Sequence, residues 1–269
     1  MKKIGIQAII LIGMFFLTWF VLNKVNWMSL FQVEHLTKTT EEKLGELFWD
    51  TFSSSEEEAD APVVEEILDS LVTRICISND IDKTRIKLHV LKKDEVNAFT
   101  LPDRHLVIYS GLITDSDNEA ELCGVISHEL AHMELDHVMK KLIKEVGLSV
   151  LVSMTTGRGG SDAISEAARM LSSTAYDRTM EKEADIMAVD FMIQAGIEPE
   201  PFADFLYKLA EDQSDIERHL SWISTHPDTK ERAEYIVEYC RNKTKQSKPI
   251  LSETSWNHLK ESLKDSTIR

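Results

Sequence analysis

The feature that most constrains the fold of this 269-residue chain is a pair of histidines four residues apart with a glutamate after the first. The segment reads His128-Glu129-Leu130-Ala131-His132. Residues four apart lie on one face of an α-helix, so both imidazoles can reach the same metal ion. A catalytic zinc ion held in this way takes a third protein ligand from another segment and keeps a fourth position for water. Glu129 would then be placed to accept a proton from that water.

The pentad lies in a segment with a helical apolar pattern. Leu122 and Val125 precede it at helical spacing. Ser116 and Glu119 have the spacing of a capping box, which predicts that the helix starts there. We expect this helix to continue to about Gly147.

His137 is a further histidine close to the pentad. On an unbroken helix, a residue nine positions after His128 points to the opposite side, so we do not expect His137 to be a ligand. The longer pattern HExxHxxGxxH is also absent, because Leu135 and Val138 occupy its glycine and last histidine positions.

A second helix, predicted from about Ala163 to Ala195, offers the third ligand. One of its faces carries Glu181, Ala184, Asp185 and Ala188. The two alanines would permit a close approach to the histidine helix, whereas Glu183 faces elsewhere. Geometry therefore favours Glu181 as the ligand and Asp185, one turn later, as the residue that orients a ligating histidine. The alternative is an ordinary solvated acidic face.

Residues 86–109 have the pattern of strands. Residues 86–90 alternate apolar and polar side chains, and 97–101 and 105–109 are two further candidates, joined by a turn at 102–104. They predict a small antiparallel sheet in a mainly helical α+β fold. If one strand lies at an edge beside the metal, a peptide could add to it by backbone hydrogen bonds.

The N-terminus predicts a membrane anchor. No charged residue occurs between Lys3 and Lys24, and the segment Ile4–Asn23 is long enough to cross a bilayer. Lys2 and Lys3 favour a cytoplasmic start, which would place the remainder in an extracytoplasmic compartment. A cleaved signal peptide followed by secretion is the alternative.

Composition limits the remaining possibilities. The formal net charge of −16 argues against nucleic-acid binding, and three widely spaced cysteines make neither a disulfide framework nor a cysteine zinc site. A hydrophobic content of 43% suits one sizeable core. We predict an anchor or signal segment at 1–27, a folded domain at 28–241 and a polar C-terminal tail at 242–269.

Three segments resemble the M48 family of zinc metallopeptidases, particularly its Oma1/BepA/LoiP-like members. They are the pentad, Glu-Lys-Glu-Ala-Asp at 181–185, and Asn-Ala-Phe-Thr-Leu-Pro at 97–102 ahead of Ser110-Gly-Leu112. The resemblance extends roughly from Val63 to Tyr239. It implies a zincin-type metalloprotease domain with one zinc ion per subunit and protein or peptide substrates.

The resemblance also assigns residues to roles. It implies that His128, His132 and Glu181 bind zinc and that Glu129 is the general base. Asp185 matches an aspartate sometimes assigned as a proton donor in the family, although its spacing here favours an orienting role.

Residues 224–236 resemble the family's His-Pro segment, which leads into a helix. His226 would then come near the zinc, as a donor to the transition state or as a removable fourth ligand. The plain alternative is that His226 and Pro227 only start a helix and that Arg232 is only an ion-pair partner.

These observations lead to three functional hypotheses. The first is a membrane-anchored zinc endopeptidase in protein quality control of an extracytoplasmic compartment. The second is a binding module whose zinc is structural or permanently capped by His226. The third is a zinc hydrolase with a non-protein substrate.

Overall fold

A computed structural model describes residues 33–59, 61–211, 215–241, 243 and 247–266. The predicted membrane segment, Ile4–Asn23, lies outside the described residues. Within the described ranges, no helix is both long enough and apolar enough to span a membrane. The chain divides into a unit Met1–Glu41 and a compact unit Glu42–Arg269, which contains the candidate site.

Helices dominate the described part of the chain, which confirms a mainly helical α+β fold. The helices are α1 (Val33–Ser55), α2 (Pro62–Ser78), α3 (Ser110–Asp115), α4 (Glu119–Glu134), α5 (His137–Glu145), α6 (Leu148–Thr155), α7 (Ser161–Ser173), α8 (Arg178–Ala195), α9 (Glu200–Glu211), α10 (Ile216–Thr225), α11 (Thr229–Cys240) and α12 (Glu253–Ser266). The strands are β1 (Lys87–Leu91), β2 (Ala98–Leu101) and β3 (His105–Tyr109).

The sheet is mixed, so the predicted antiparallel sheet was wrong in one of its two pairings. Its order is β1-β3-β2, with β2 antiparallel and β1 parallel to β3. Asp103 and Arg104 both have positive φ, at 57° and 61°, as a tight hairpin turn between β2 and β3 requires. β1 then pairs with the remaining edge of β3 rather than with β2, and the two run in the same direction.

Strands β2 and β3 are buried on both faces, and β3 separates two apolar layers. Leu106 and Ile108 face the larger layer, formed mainly with α2, α4, α8, α9 and α11. Val107 and Tyr109 face a second layer, to which α1, α5, α6 and α7 contribute. Within this packing, β2 contacts α4, the helix that carries the histidine pair.

The histidine helix differs from its prediction at both ends. Asn118, not Ser116, is the N-cap, and its side chain accepts hydrogen bonds from the backbone of Ala120 and Glu121. At the other end Asp136 adopts φ 55°, a left-handed conformation that separates α4 from α5. The expected continuous helix to Gly147 is therefore two helices.

The region after Gly147 also differs from its prediction. Residues 148–155 form the short helix α6. The single helix expected from Ala163 to Ala195 is divided into α7 and α8, because Asp177 caps a new helix through hydrogen bonds to the backbone of Thr179 and Met180. Gly196 ends α8 with φ 72°, as expected of a C-terminal glycine.

The predicted polar tail contains a packed helix. Leu259 and Leu263 on α12 join the main apolar cluster, and the backbone of Ile250 and Leu251 donates hydrogen bonds to Glu119 at the start of α4. The sequence pattern failed here because only two leucines, one helical turn apart, mark the buried face. Residues 253–266 are therefore part of the packed unit, while the other domain boundaries stay predictions.

Removing the Leu259 side chain is expected to destabilise the fold. Leu259→Ala leaves a cavity in a fully buried position, so the free energy of unfolding should fall by about 2–4 kcal/mol. Urea unfolding followed by tryptophan fluorescence measures the loss. Asn257→Ala, at an exposed position of the same helix, is the control. An equally small effect of both changes would mean that α12 does not pack as described.

Candidate metal centre

The histidine pair lies on the buried helix α4. His128 and His132 occupy successive turns, and their Nε2 atoms are 3.0 Å apart. Both side chains are fully buried. The two nitrogens therefore converge on one small volume rather than on solvent.

Glu181 joins the pair from α8. Its carboxylate oxygens lie 3.7 Å from Nε2 of His128 and 3.4 Å from Nε2 of His132. α8 can come this close because Ala184 and Ala188, both fully buried, lie on the same face as Glu181. The predicted third ligand is thus in position to complete a three-residue group.

His226 enters the same group from the loop between α10 and α11. Its ring stacks on Trp222 with 4.1 Å between centroids, and its Nδ1 lies 2.9 Å from Oγ1 of Thr225. Pro227 follows directly and cannot extend α10. Candidate ligand atoms of His128, His132, Glu181 and His226 all lie within 4.8 Å of one another.

The donor set fits a metal ion, and zinc suits it well. Three imidazoles and one carboxylate are typical zinc ligands. Burial lowers the pKa of His128 to about 4 and that of His226 well below its usual value, so the neutral rings keep lone pairs for a metal. Nε2 of His226 is buried without a hydrogen bond among the described residues. Such an atom, aimed at three other donors, is what a metal site requires.

Glu129 faces the same volume. Its Oε1 lies 3.3 Å from Nε2 of His226, and neither of its carboxylate oxygens has a hydrogen bond within the described ranges. Burial, reinforced by the charge of Glu181, raises the pKa of Glu129 well above its usual value. A carboxyl group placed in this way can act first as a general base and then as a general acid.

Asp185 contacts the outer nitrogen of His128. Its Oδ1 lies 2.8 Å from Nδ1 of that ring, one helical turn after Glu181. Arg232 donates from Nε and Nη2 to the two carboxylate oxygens at 2.8 and 2.7 Å, and the Tyr235 hydroxyl also contacts Asp185. Burial opposes ionisation, but Arg232 and His128 outweigh it and lower the pKa of Asp185. This position suits the orienting role predicted from spacing.

Arg232 links the carboxylates on α8. Besides its contacts with Asp185, its Nη1 lies 2.5 Å from Oε2 of Glu181. Arg232 is almost fully buried and is an ion-pair partner, the role that the sequence allowed for.

His137 lies beside His132, and the expectation that it points to the opposite side was wrong. Its Nδ1 is 3.0 Å from Nδ1 of His132. The expectation assumed a continuous helix, whereas the left-handed Asp136 turns the chain back toward the site. His137 is nevertheless outside the four-residue ligand group.

Two site residues carry no recognisable sequence signal. The ring of Tyr176 packs on His132 with 4.1 Å between centroids, and its backbone N–H bonds to the Thr225 carbonyl. Lys141 is buried with its Nζ 4.1 Å from the Tyr176 ring, and burial lowers its pKa to about 8. Neither residue belongs to a motif. From the sequence alone, Lys141 cannot be distinguished from a lysine on the exposed face of a helix.

Comparisons with a family profile and with individual known proteins point to the same family. Residues 60–239 match the profile of peptidase family M48. The "Beta-barrel assembly-enhancing protease" of Escherichia coli is 25% identical over 72% of this chain and 42% of its own length. "Metalloprotease LoiP" of the same organism is 29% identical over 60% of this chain and 65% of its own, and "Mitochondrial metalloendopeptidase OMA1" of Arabidopsis thaliana is 27% identical over 55% and 30%. The chain thus spans less than half the length of its beta-barrel assembly-enhancing relatives.

Replacing Glu181 with Gln is expected to weaken zinc binding by roughly tenfold or more, because a neutral amide is a poorer ligand than a carboxylate. Competition with a chromophoric chelator measures the affinity of the full chain in detergent. Asp190→Asn is the matched control, since Asp190 lies on the same helix but pairs with Lys243 away from the site. Unchanged affinity of the Glu181 variant would exclude Glu181 as a ligand.

Proposed function

Because the chain belongs to peptidase family M48, we propose that it is a zinc-dependent endopeptidase that hydrolyses peptide bonds in protein substrates. The observation that carries the proposal is the convergence of His128, His132 and Glu181 beside the buried carboxyl group of Glu129. The four side chains supply the ligands and the proton carrier that metal-assisted hydrolysis needs.

In this proposal His128, His132 and Glu181 hold the zinc ion. When bound, zinc supplies a Lewis acid that polarises the scissile carbonyl and makes water a better nucleophile. Glu129 removes a proton from the attacking water and later passes it to the leaving amine. Burial raises the pKa of Glu129, which favours the protonated form through which this exchange passes. Asp185 keeps His128 in the orientation that directs Nε2 inward.

Strand β2 is the proposed docking strand for the substrate. It is an edge strand of the sheet, next to β3, and it packs against α4. An extended peptide paired with it would run past the histidine pair. All four residues of β2 are buried, so a substrate reaches the strand only after covering segments move.

His226 is the proposed cap of a latent site. It supplies a fourth donor to the group, and its Nε2 approaches the oxygen of the proton carrier Glu129. A water molecule and a substrate carbonyl need that same position. Full burial of all four donor groups supports a resting form that opens when His226 withdraws.

The proposed location is the extracytoplasmic side of a membrane, with residues 4–23 as the anchor, or the same compartment after signal cleavage. The proposed substrates are misfolded or unassembled proteins of that compartment. The E. coli relative is a "Beta-barrel assembly-enhancing protease", a name in keeping with this role.

Glu129→Gln tests the chemistry. The variant is expected to keep zinc, because Glu129 is not a ligand, but to lose cleavage of casein by about 10²–10⁴-fold, since Gln cannot carry the proton. Glu134→Gln is the control, because Glu134 lies on the same helix and pairs with Arg104 outside the site. Equal cleavage by the Glu129 variant and the wild type would exclude this mechanism.

His226→Ala tests the cap and separates the peptidase from a binding module whose zinc is permanently capped. If His226 blocks the site, the variant should bind zinc and cleave casein faster than wild type. Ser224→Ala, an exposed change in the last turn of α10, is the control. Slower cleavage would instead identify His226 as a donor to the transition state. Retained zinc without cleavage in either form would favour the binding module.

A further inference from the structure

The outer nitrogen of His132 faces another histidine. Nε2 of His132 points into the ligand group, where it lies 3.0 Å from Nε2 of His128. On the other side of the ring, Nδ1 is 3.0 Å from Nδ1 of His137. Both rings are fully buried, so water does not compete for this contact.

The backbone break between α4 and α5 creates this contact. His137 is the first residue of α5, directly after the left-handed Asp136. On a continuous helix, a residue five positions after His132 would be about 140° around the axis and could not meet its ring edge. Non-glycine residues adopt positive φ at a cost, so the surrounding structure must hold Asp136 in this conformation.

The other nitrogen of His137 faces Glu183 on α8. Nε2 of His137 lies 3.3 Å from Oε2 of Glu183, whose side chain is 54% exposed. Glu183 points away from the ligand group, as its spacing from Glu181 predicts, yet it reaches the site through His137.

The hydrogen-bond roles of His132, His137 and Glu183 follow from the atom of His132 that binds the metal. An imidazole that binds a metal through Nε2 carries its proton on Nδ1. His132 must then donate from Nδ1, so His137 accepts at Nδ1 and carries its own proton on Nε2. That N–H points to the Glu183 carboxylate, so both ring nitrogens of His137 have a partner.

We infer that His137, supported by Glu183, positions His132 for metal binding. This inference rests on the proposed metal site. His137 does for His132 what Asp185 does for His128, but with a different acceptor. Asp185 is an ionised carboxylate fixed by Arg232, whereas His137 is a neutral ring backed by a half-exposed carboxylate. The two ligating histidines therefore have unequal support.

A pair of substitutions separates positioning from packing. His137→Asn keeps an acceptor near the position of Nδ1, and His137→Leu keeps comparable volume without an acceptor. We expect the Leu variant to bind zinc about 10–100-fold more weakly than wild type and the Asn variant to stay within about threefold. Chelator competition on the full chain in detergent measures both. The visible spectrum of the Co²⁺-loaded protein should change in the Leu variant only.

Further variants distinguish the loss of the acceptor atom from a folding defect. His137→Gln, whose amide extends toward the Nε2 position, is a polar change expected to weaken binding as Leu does. Glu183→Ala should weaken binding less, by about two- to fivefold, because the carboxylate is exposed. Urea unfolding of the zinc-free proteins identifies any variant with a damaged fold. His258→Leu, at an exposed position on α12, is the surface control.

The outcomes separate this inference from the proposed function. Equal zinc affinity of the wild type and the folded Leu and Gln variants would overturn the role of His137 and leave the metal site intact. Equal weakening by Asn, Gln and Leu would also overturn it, because the acceptor atom would not matter. A wild-type chain that binds no zinc would overturn the metal site itself, together with this inference.

Discussion

The burial of three carboxyl groups around one small volume is the constraint on which the rest of the structure depends. Glu129, Glu181 and Asp185 are all almost inaccessible to water. Among the described residues, the buried cations whose charge acts on them are Arg232 and Lys141. Buried carboxylates are costly unless positive charge or hydrogen bonds compensate them. A divalent ion between His128, His132 and Glu181 would supply further positive charge at this point.

The helices around the site can be understood from this constraint. α4 and α8 pack closely through small residues, which brings the ligands of both helices within reach of one ion. α11 contributes Arg232, which binds Asp185, and the loop before α11 contributes His226 to the ligand group. One segment of the chain thus carries both the cation that fixes the carboxylates and the proposed cap. The fixed residue and the removable one are six positions apart, with the left-handed Asp228 between them.

The sequence predicted the parts of the site that depend on local periodicity. The histidine pair, Glu181 and Asp185 each follow from helical spacing, and the structure brings all four together. Prediction failed where a single residue changes the chain direction. Asp136 breaks the helix and reverses the expected direction of His137, and Asp177 divides one predicted helix into two. Tyr176, Lys141 and the parallel pairing of β1 depend on contacts between distant segments, which no local pattern records.

Gly124 lies where helix α4 packs closely against Phe202 of α9. A side-chain carbon there would lie 2.7 Å from Cγ of Phe202, and the Phe202 ring is 6.0 Å from the ring of His128. Even an alanine at this position would push α4 and α9 apart one helical turn before the first histidine. The close packing of α4 and α9 beside His128 therefore depends on the absence of a side chain at Gly124. A purely apolar substitution, which removes no polar atom of the site, would act as a fault in metal retention.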